Sequence, residues 1–357
     1  MLALVTDAFG GYGGIAQYNR DLLSALALSN AVSEVVVLPR IAGPDLQGMP
    51  EKVRQLAPCS ARLGYVARSI DVVRRDGPFD IVFSGHLYHT PLAAVVGRWL
   101  KAPMWLQTHG IDAWDCPARL VRAASERSEL ITTVSRYTKR RLLSWASIAP
   151  ERVRVLPNTF RPMFAPGPKD RNLLARVGLA NRKVILTVSR LSKSDQYKGH
   201  TLVIEALPQV LQQHPDACYV IVGDGDARPD LEAHVAARGL GASVHFLGRL
   251  SDADVLQLYR SSDVFVMPSN KEGFGIVFVE AAAAGLPVIG GNRDGSTDAL
   301  ADGAIGILIT PGHTDELVRV LSDCLSSPTT PNPGAVHRFA FKNFAAHVDH
   351  LVRSLAR

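Results

Sequence analysis

Two rounds of alternating strand and helix patterns, parted by a stretch crowded with prolines, predict an α/β protein of two parallel-sheet domains. In the first round, apolar runs at 2–8, 81–83 and 104–108 are separated by helical periodicity, as crossover connections require. In the second, Val184–Ser189 restarts the alternation. Between them Pro157, Pro162, Pro166 and Pro168 mark a connector. The boundaries expected are 1–160 for the first domain and 161–337 for the second, and 357 residues suffice for both.

Composition narrows the function classes. A hydrophobic share of 47% beside 20% charged residues suits a soluble chain that buries a sizeable core. No apolar run is long enough to span a bilayer. Residues 1–7 meet an acid at Asp7 and lack a basic leader, so they are expected to form a strand and not a signal peptide, which puts the chain in the cytoplasm. Cys59, Cys116, Cys218 and Cys324 stand far apart, which argues against a disulfide framework or a zinc site. The net charge of +6 sits in the first half, where residues 1–165 hold 20 Lys and Arg against 13 Asp and Glu. A basic half implies an anionic partner such as a membrane surface, a phosphorylated acceptor or a nucleic acid.

Taken in order, the first strand runs into Phe9-Gly10-Gly11-Tyr12-Gly13-Gly14 and then a helix from Ile15 to Leu28. Strand, glycine loop and helix bring free amides and a helix N-terminus to a phosphate. Gly11 to Ala16 formally fits G-x-G-x-x-A, the fingerprint of a dinucleotide-binding oxidoreductase. The next strand ends near Arg40 with no acid for a ribose hydroxyl, so that reading would be NADP-dependent. His86 and His89 follow the strand at 81–83, and His109-Gly110-Ile111-Asp112 follows the strand at 104–108. Loops at such strand ends are where open α/β sheets bind ligands.

Residues 131–135 form a strand entering a helix, with Ser135 as its N-cap. That helix carries Arg136, Lys139, Arg140 and Arg141 beside Leu142, Leu143 and Trp145. The pattern suits either docking on anionic lipid or a solvated helix with an apolar packing face. Arg68, Arg74, Arg75, Arg119 and Arg122 could extend the patch. In the second half, Arg190 and Lys198 bracket a loop at a strand's carboxyl end, just before a helix that runs to about Gln213. A diphosphate there would gain two cations and free amides. Asp224-x-Asp226 and Asp252-x-Asp254 suit a turn and a helix N-terminus better than a metal, so no metal is expected.

The densest stretch follows the buried strand at 263–268. Lys271-Glu272-Gly273-Phe274-Gly275 makes a tight turn into an apolar helix, Ile276 to Ala284, closed by Gly285 and Pro287. Glu280 sits mid-helix, where a carboxylate is costly unless hydrogen-bonded. Ile276, Val277, Ala283 and Ala284 share its face and supply no partner, so a ligand hydroxyl is expected there. The plainer alternative is that Glu272 caps the helix while Glu280 pairs with a basic residue elsewhere.

The spacing E-G-F-G-x-x-x-x-E, together with Arg190, Lys198-Gly199, Thr108-His109-Gly110-x-Asp112 and Val155-Leu156-Pro157-Asn158, resembles family 4 glycosyltransferases. The resemblance covers nearly the whole chain. It implies a GT-B fold: two Rossmann-like β/α/β domains facing across a cleft, with the last helix, 338–357, crossing back onto the first. It further implies retaining transfer of a hexose from a nucleoside-diphosphate sugar to a hydroxyl of a glycan or lipid-linked acceptor. His109, Glu272, Arg190 and Lys198 would be the catalytic set. Gly13, Gly14, Gly248, Leu250, Gly273, Phe274, Gly275 and Glu280 would join Arg190, Lys198 and Glu272 around the donor, with Glu280 on the ribose. Ser135 would face the cleft, and Arg136, Lys139, Arg140, Arg141 and Trp145 would form an acceptor-side or membrane surface. No cofactor, no metal and no nucleic-acid partner are expected, and the location would be cytoplasmic or peripheral on the inner face of the cell membrane. A non-catalytic scaffold that binds nucleotide sugar is the third reading.

Overall fold

A computed structural model describes residues 1–43, 46 and 48–355. The chain divides into two compact units, one made of residues 1–159 with the chain from Phe341 on, the other of 160–340.

Among the described residues the first unit holds seven strands: β1 (Leu2–Val5), β2 (Val35–Pro39), β3 (Val53–Gln55), β4 (Val82–Ser84), β5 (Met104–Thr108), β6 (Leu130–Thr133) and β7 (Val153–Val155). All pair in parallel, in the order β3-β2-β1-β4-β5-β6-β7. Parallel sheets covered by helices on both faces need strands apolar throughout, and every residue of β1 and β2 is buried. Leu2, Leu4, Val36, Leu38 and Val82 pack against Tyr65 and Val72 of the helix Arg62–Asp76 and against Ala93 and Val96 of the helix Thr90–Leu100.

The second unit repeats the plan with β8 (Lys183–Val188), β9 (Ala217–Val222), β10 (Val244–Gly248), β11 (Val264–Met267), β12 (Val288–Gly291) and β13 (Ile307–Ile309), in the order β10-β9-β8-β11-β12-β13. Its core joins Ile185, Tyr219, Ile221, Val266 and Ile289 from the sheet to Ile204, Leu207, Leu317 and Leu321 from two flanking helices. In each unit strand order reverses once, at β1/β4 and at β8/β11. There the loops leaving neighbouring strands diverge to opposite faces and open a crevice at the carboxyl ends.

Several expectations need adjustment. β3, β7 and β13 escape a reading by periodicity because each is three residues long and lies at a sheet edge. The first strand stops at Val5, and the tail helix begins at Phe341 instead of Arg338. Phe339 stays with the second unit, edge-on to Phe274 at 5.7 Å, and Ala340 bridges Phe160. The prolines beyond Phe160 build a wall of the second unit and not a loose connector: Phe164 packs on Tyr259 and Arg260 Nε donates to the Ala165 carbonyl at 2.8 Å.

The tail helix Phe341–Leu355 lies along the helix Gly14–Leu28 of the first unit. Phe344 meets Tyr18 edge-on at 5.9 Å, and Ser29 Oγ donates to Asp349 at 2.5 Å. Phe344→Ala should therefore destabilise the first unit by about 3–5 kcal/mol, read as an earlier urea midpoint with the second unit's transition unmoved.

Candidate functional site

The carboxyl ends of β8 and β11 carry the chemistry of the second unit. β8 ends at Val188 and leads through Ser189 to Arg190, whose side chain is 69% exposed. Its Nε and Nη2 both donate to one oxygen of Asp195, at 2.8 and 2.7 Å. The loop between Arg190 and Lys198 is tied down as well: Leu191 N donates to the Asp224 carbonyl and Lys193 N to the Asp226 carboxylate. Lys198 Nζ lies 3.1 Å from Glu272 Oε2, and the two side chains are only 13 and 16% exposed. Their charges are therefore little screened, and each neutralises the other.

Behind Ser189 runs a buried chain of hydrogen bonds whose direction can be worked out. Thr187 Oγ1 donates to the Val266 carbonyl, so it accepts from the Tyr219 hydroxyl at 2.9 Å. Tyr219 in turn accepts from His200 Nδ1 at 3.0 Å, and His200 Nε2 is left to accept from Ser189 Oγ at 2.8 Å. Burial lowers the His200 pKa to about 4, which keeps this neutral tautomer. The chain bolts the tip of β8 to β9 and β11.

Glu272 is held through its own backbone. Its amide donates to Asp294 Oδ2 at 2.5 Å, and its carbonyl accepts from Gly295 N at 2.9 Å. Asp294 is fully buried, and burial pushes its pKa up to about 6 against the opposing amides of Glu272 and Ser296. A side chain at Gly295 would stand 2.0 Å from the Gly273 carbonyl, so only glycine permits the approach. Of the two motif glycines, Gly275 alone is left-handed, at φ 89°, and a Cβ there would also strike the Phe278 ring. Gly275 leads into the helix Ile276–Ala283, whose N-terminus has no side-chain cap, and Phe274 is buried beside it.

Glu280 is met from other segments, as the plainer alternative has it. Arg161 Nη2 stands 3.9 Å from its carboxylate, and Arg161 also bonds Asp252. Tyr259 lies against it too: burial first, then the Glu280 charge, holds the Tyr259 pKa well above the usual phenol range. Gly248 ends β10 and half-buried Leu250 follows it, with the Gly248 carbonyl accepting from Gly223 N at 2.8 Å.

The remaining expected residues belong to the first unit. Gly13, at φ 89°, and Gly14 open the helix Gly14–Leu28, again without a side-chain cap. His109 donates from Nε2 to the Gly85 carbonyl at 2.9 Å, while its amide donates to Asp112 at 2.9 Å. Because a carbonyl only accepts, Nδ1 of the neutral ring is the acceptor. Ser135 caps the helix Arg136–Leu143 by accepting from Thr138 N at 3.1 Å. Lys139 donates to the Pro150 and Val153 carbonyls, Arg141 to Trp114 and Asp115, and Trp145 to Ala113. Arg140 lies over Tyr137, and Arg136 is exposed. Lys139, Arg141 and Trp145 thus commit polar atoms to the domain's own loops. The patch does not extend freely either, since Arg68 and Arg75 share Asp71 and Arg122 pairs with Glu126.

Arg190, Lys198 and the Glu272 loop therefore come together at the strand-order reversal, joined by Asp195 and Asp294, while Arg161 stands by Glu280; the sequence did not single out these three as site residues. Among the described residues, no group of three or more His, Cys, Asp or Glu is placed to hold a metal, and no helix is long and apolar enough to cross a membrane.

Two tethered cations thus lie with a glycine turn and a buried carboxylate at the strand-order reversal of a doubly wound α/β sheet. The model of glycosyl transferases group 1 matches residues 171–336, and that of glycosyltransferase family 4 matches 12–162. A GDP-mannose-dependent alpha-(1-6)-phosphatidylinositol monomannoside mannosyltransferase of Mycolicibacterium smegmatis is 30% identical over 62% of this chain and 60% of its own length. Its monoacylated-substrate counterpart in Corynebacterium glutamicum is 26% identical over 92% and 89%. Among solved structures, Anabaena HepE in complex with UDP superimposes with a TM-score of 0.79 at 23% identity, covering 99% of this chain and 100% of that one. Sucrose-phosphate synthase from Thermosynechococcus elongatus does so at 0.77 and 21%, over 99% and 98%. The chain belongs to the group 1, family 4 glycosyltransferases and has their GT-B fold. The oxidoreductase reading falls with this, and Arg40, which would have met a 2′-phosphate, instead donates to the Ser60 carbonyl and lies over the Tyr65 ring.

The histidines of the first unit make a checkable point. Burial above all lowers the pKa of His109 and His89 to about 3 and that of His86 to about 4. All three should stay neutral from pH 5 to 8, so their ring proton shifts in NMR spectra should not move across that range. A midpoint near 6.5 would contradict the burial argument.

Proposed function

We propose that this glycosyltransferase moves a hexose, of mannose or glucose type, from a nucleoside-diphosphate sugar to a hydroxyl of a glycan or lipid-linked acceptor, with the anomeric configuration retained. The observation that carries the reading is the Lys198–Glu272 pair beside the tethered guanidinium of Arg190. A departing diphosphate needs preorganised positive charge, worth about 3–4 kcal/mol per strong donor. Arg190 and Lys198 provide it, together with the uncapped start of the helix after Gly275. When the diphosphate draws Lys198, Glu272 is released to accept hydroxyls of the sugar and orient the anomeric carbon. Glu280, beside Arg161 and Tyr259, holds the ribose. His109 offers Nδ1 as an acceptor to a sugar hydroxyl. No metal takes part, since the two cations and the helix start do its work.

For the donor, the relatives named as GDP-mannose-dependent favour mannose on GDP, while HepE was solved with UDP-glucose. For the acceptor, the same relatives, named for phosphatidylinositol monomannoside, favour a lipid-linked glycan, as in glycolipid or exopolysaccharide assembly. The basic first half supports a cytoplasmic enzyme that sits peripherally on the inner, anionic face of the cell membrane.

A thermal-shift panel of UDP, GDP and ADP identifies the nucleotide, because a ligand that binds only the folded state raises its melting temperature. With the matching donor, turnover should persist in excess EDTA and the product should keep the donor's anomeric configuration by NMR; loss of activity in EDTA or an inverted product would refute those parts of the reading. Glu280→Gln should lower turnover strongly, by about 10²-fold or more, while the melting temperature moves little. Near-normal turnover in that variant would count against a ribose-holding role.

A further inference from the structure

Within the reading just proposed, we infer that Asp195 is a positioning residue, which sets the guanidinium of Arg190 so that its outer edge meets the donor diphosphate. Asp195 is 6% exposed although its neighbours Lys193, Ser194 and Gln196 are exposed. A carboxylate is buried only where something repays its lost hydration. The helical turn it belongs to does not explain it: that turn is capped by Ser192, and the Asp195 side chain takes no backbone amide among the described hydrogen bonds. Its partners are instead Arg190, through two N–H groups on Oδ2, and the hydroxyls of Ser194 and Tyr197, each 3.3 Å from Oδ1.

A guanidinium has five N–H groups in a fixed plane. With Nε and one hydrogen of Nη2 given to Asp195, the other Nη2 hydrogen and one of Nη1 form the adjacent fork, at the end of the group, that fits a phosphate. An exposed arginine without such an anchor would lose side-chain freedom on binding and contribute less. Tyr197 extends the arrangement. Its ring lies 5.6 Å from Lys198 Nζ, and its carbonyl accepts from Asn270 N at 3.1 Å, just before Glu272. The phenol stays protonated because burial and the nearby carboxylates raise its pKa, so it donates to Asp195. Asp195 and Tyr197 therefore fix both cations relative to one another before any ligand arrives.

The test is a double-mutant cycle in the full-length protein, with UDP and GDP as probes and uridine and guanosine as controls, by calorimetry. Asp195→Ala should weaken whichever diphosphate binds by about tenfold, or about 1.4 kcal/mol, and leave the nucleoside's affinity unchanged. In an Arg190→Ala background the same substitution should change nothing further. Equal loss in both backgrounds, or no loss beside native Arg190, would overturn the assignment. If Asp195→Ala lacks a cooperative melting transition, Asp195→Asn, which keeps the size and one acceptor, carries the same cycle with the same expected outcomes. If Arg190→Ala alone leaves UDP and GDP binding untouched, the diphosphate reading of the site falls and takes this inference with it; an intact Arg190 effect with an additive cycle removes Asp195 alone.

Discussion

The second unit's site depends on how the backbone of one residue is gripped. Glu272 must stand opposite Lys198, and a glycine-rich turn has no regular ladder to hold it there. Its amide and carbonyl are taken instead by Asp294 and Gly295, from the loop after the next strand of the sheet. That grip works only because Asp294 is dry: a buried carboxylate accepting two amides has a far stronger hold than one in water. The glycine at 295 is part of the same constraint, since it lets the two loops touch backbone to backbone. With Glu272 placed, Lys198 is held by charge, and the rest of the loop from β8 is fixed by Asp195, Asp224 and Asp226.

Much of this was legible in the sequence, and the reasons differ by residue. Arg190, Lys198, Glu272 and Gly275 stand at strand ends and turns whose chemistry is local, so their spacing, through the family resemblance it carries, pointed to them. The alternation of β and α and the reversal-point loops followed from long apolar runs. What escaped was whatever depends on segments distant in the chain. Glu280 was judged from its own helix face, while its neighbours come from residue 161 and from the helix Asp252–Ser261. Asp294 and Asp195 look like ordinary acids of polar loops until burial is known.

The basic helix after Ser135 teaches a related lesson. Its composition allowed a lipid-facing surface, and composition could not say where long side chains bend. Lys139 and Arg141 turn onto carbonyls of neighbouring loops, a use of cations that leaves no trace in a charge count. The short strands were missed for a simpler reason: three residues at a sheet edge carry too little pattern to register.

The return of the last helix onto the first unit has a consequence for biosynthesis. As the polypeptide emerges from the ribosome, residues 160–340 are continuous and can close their own sheet as soon as they are clear. The N-terminal unit, though finished earlier as far as its strands go, waits with the apolar flank of its opening helix uncovered until Phe344, Val348 and Val352 have been translated. The half that is made first is thus completed last, and a chaperone or a prematurely terminated chain would meet that bare flank.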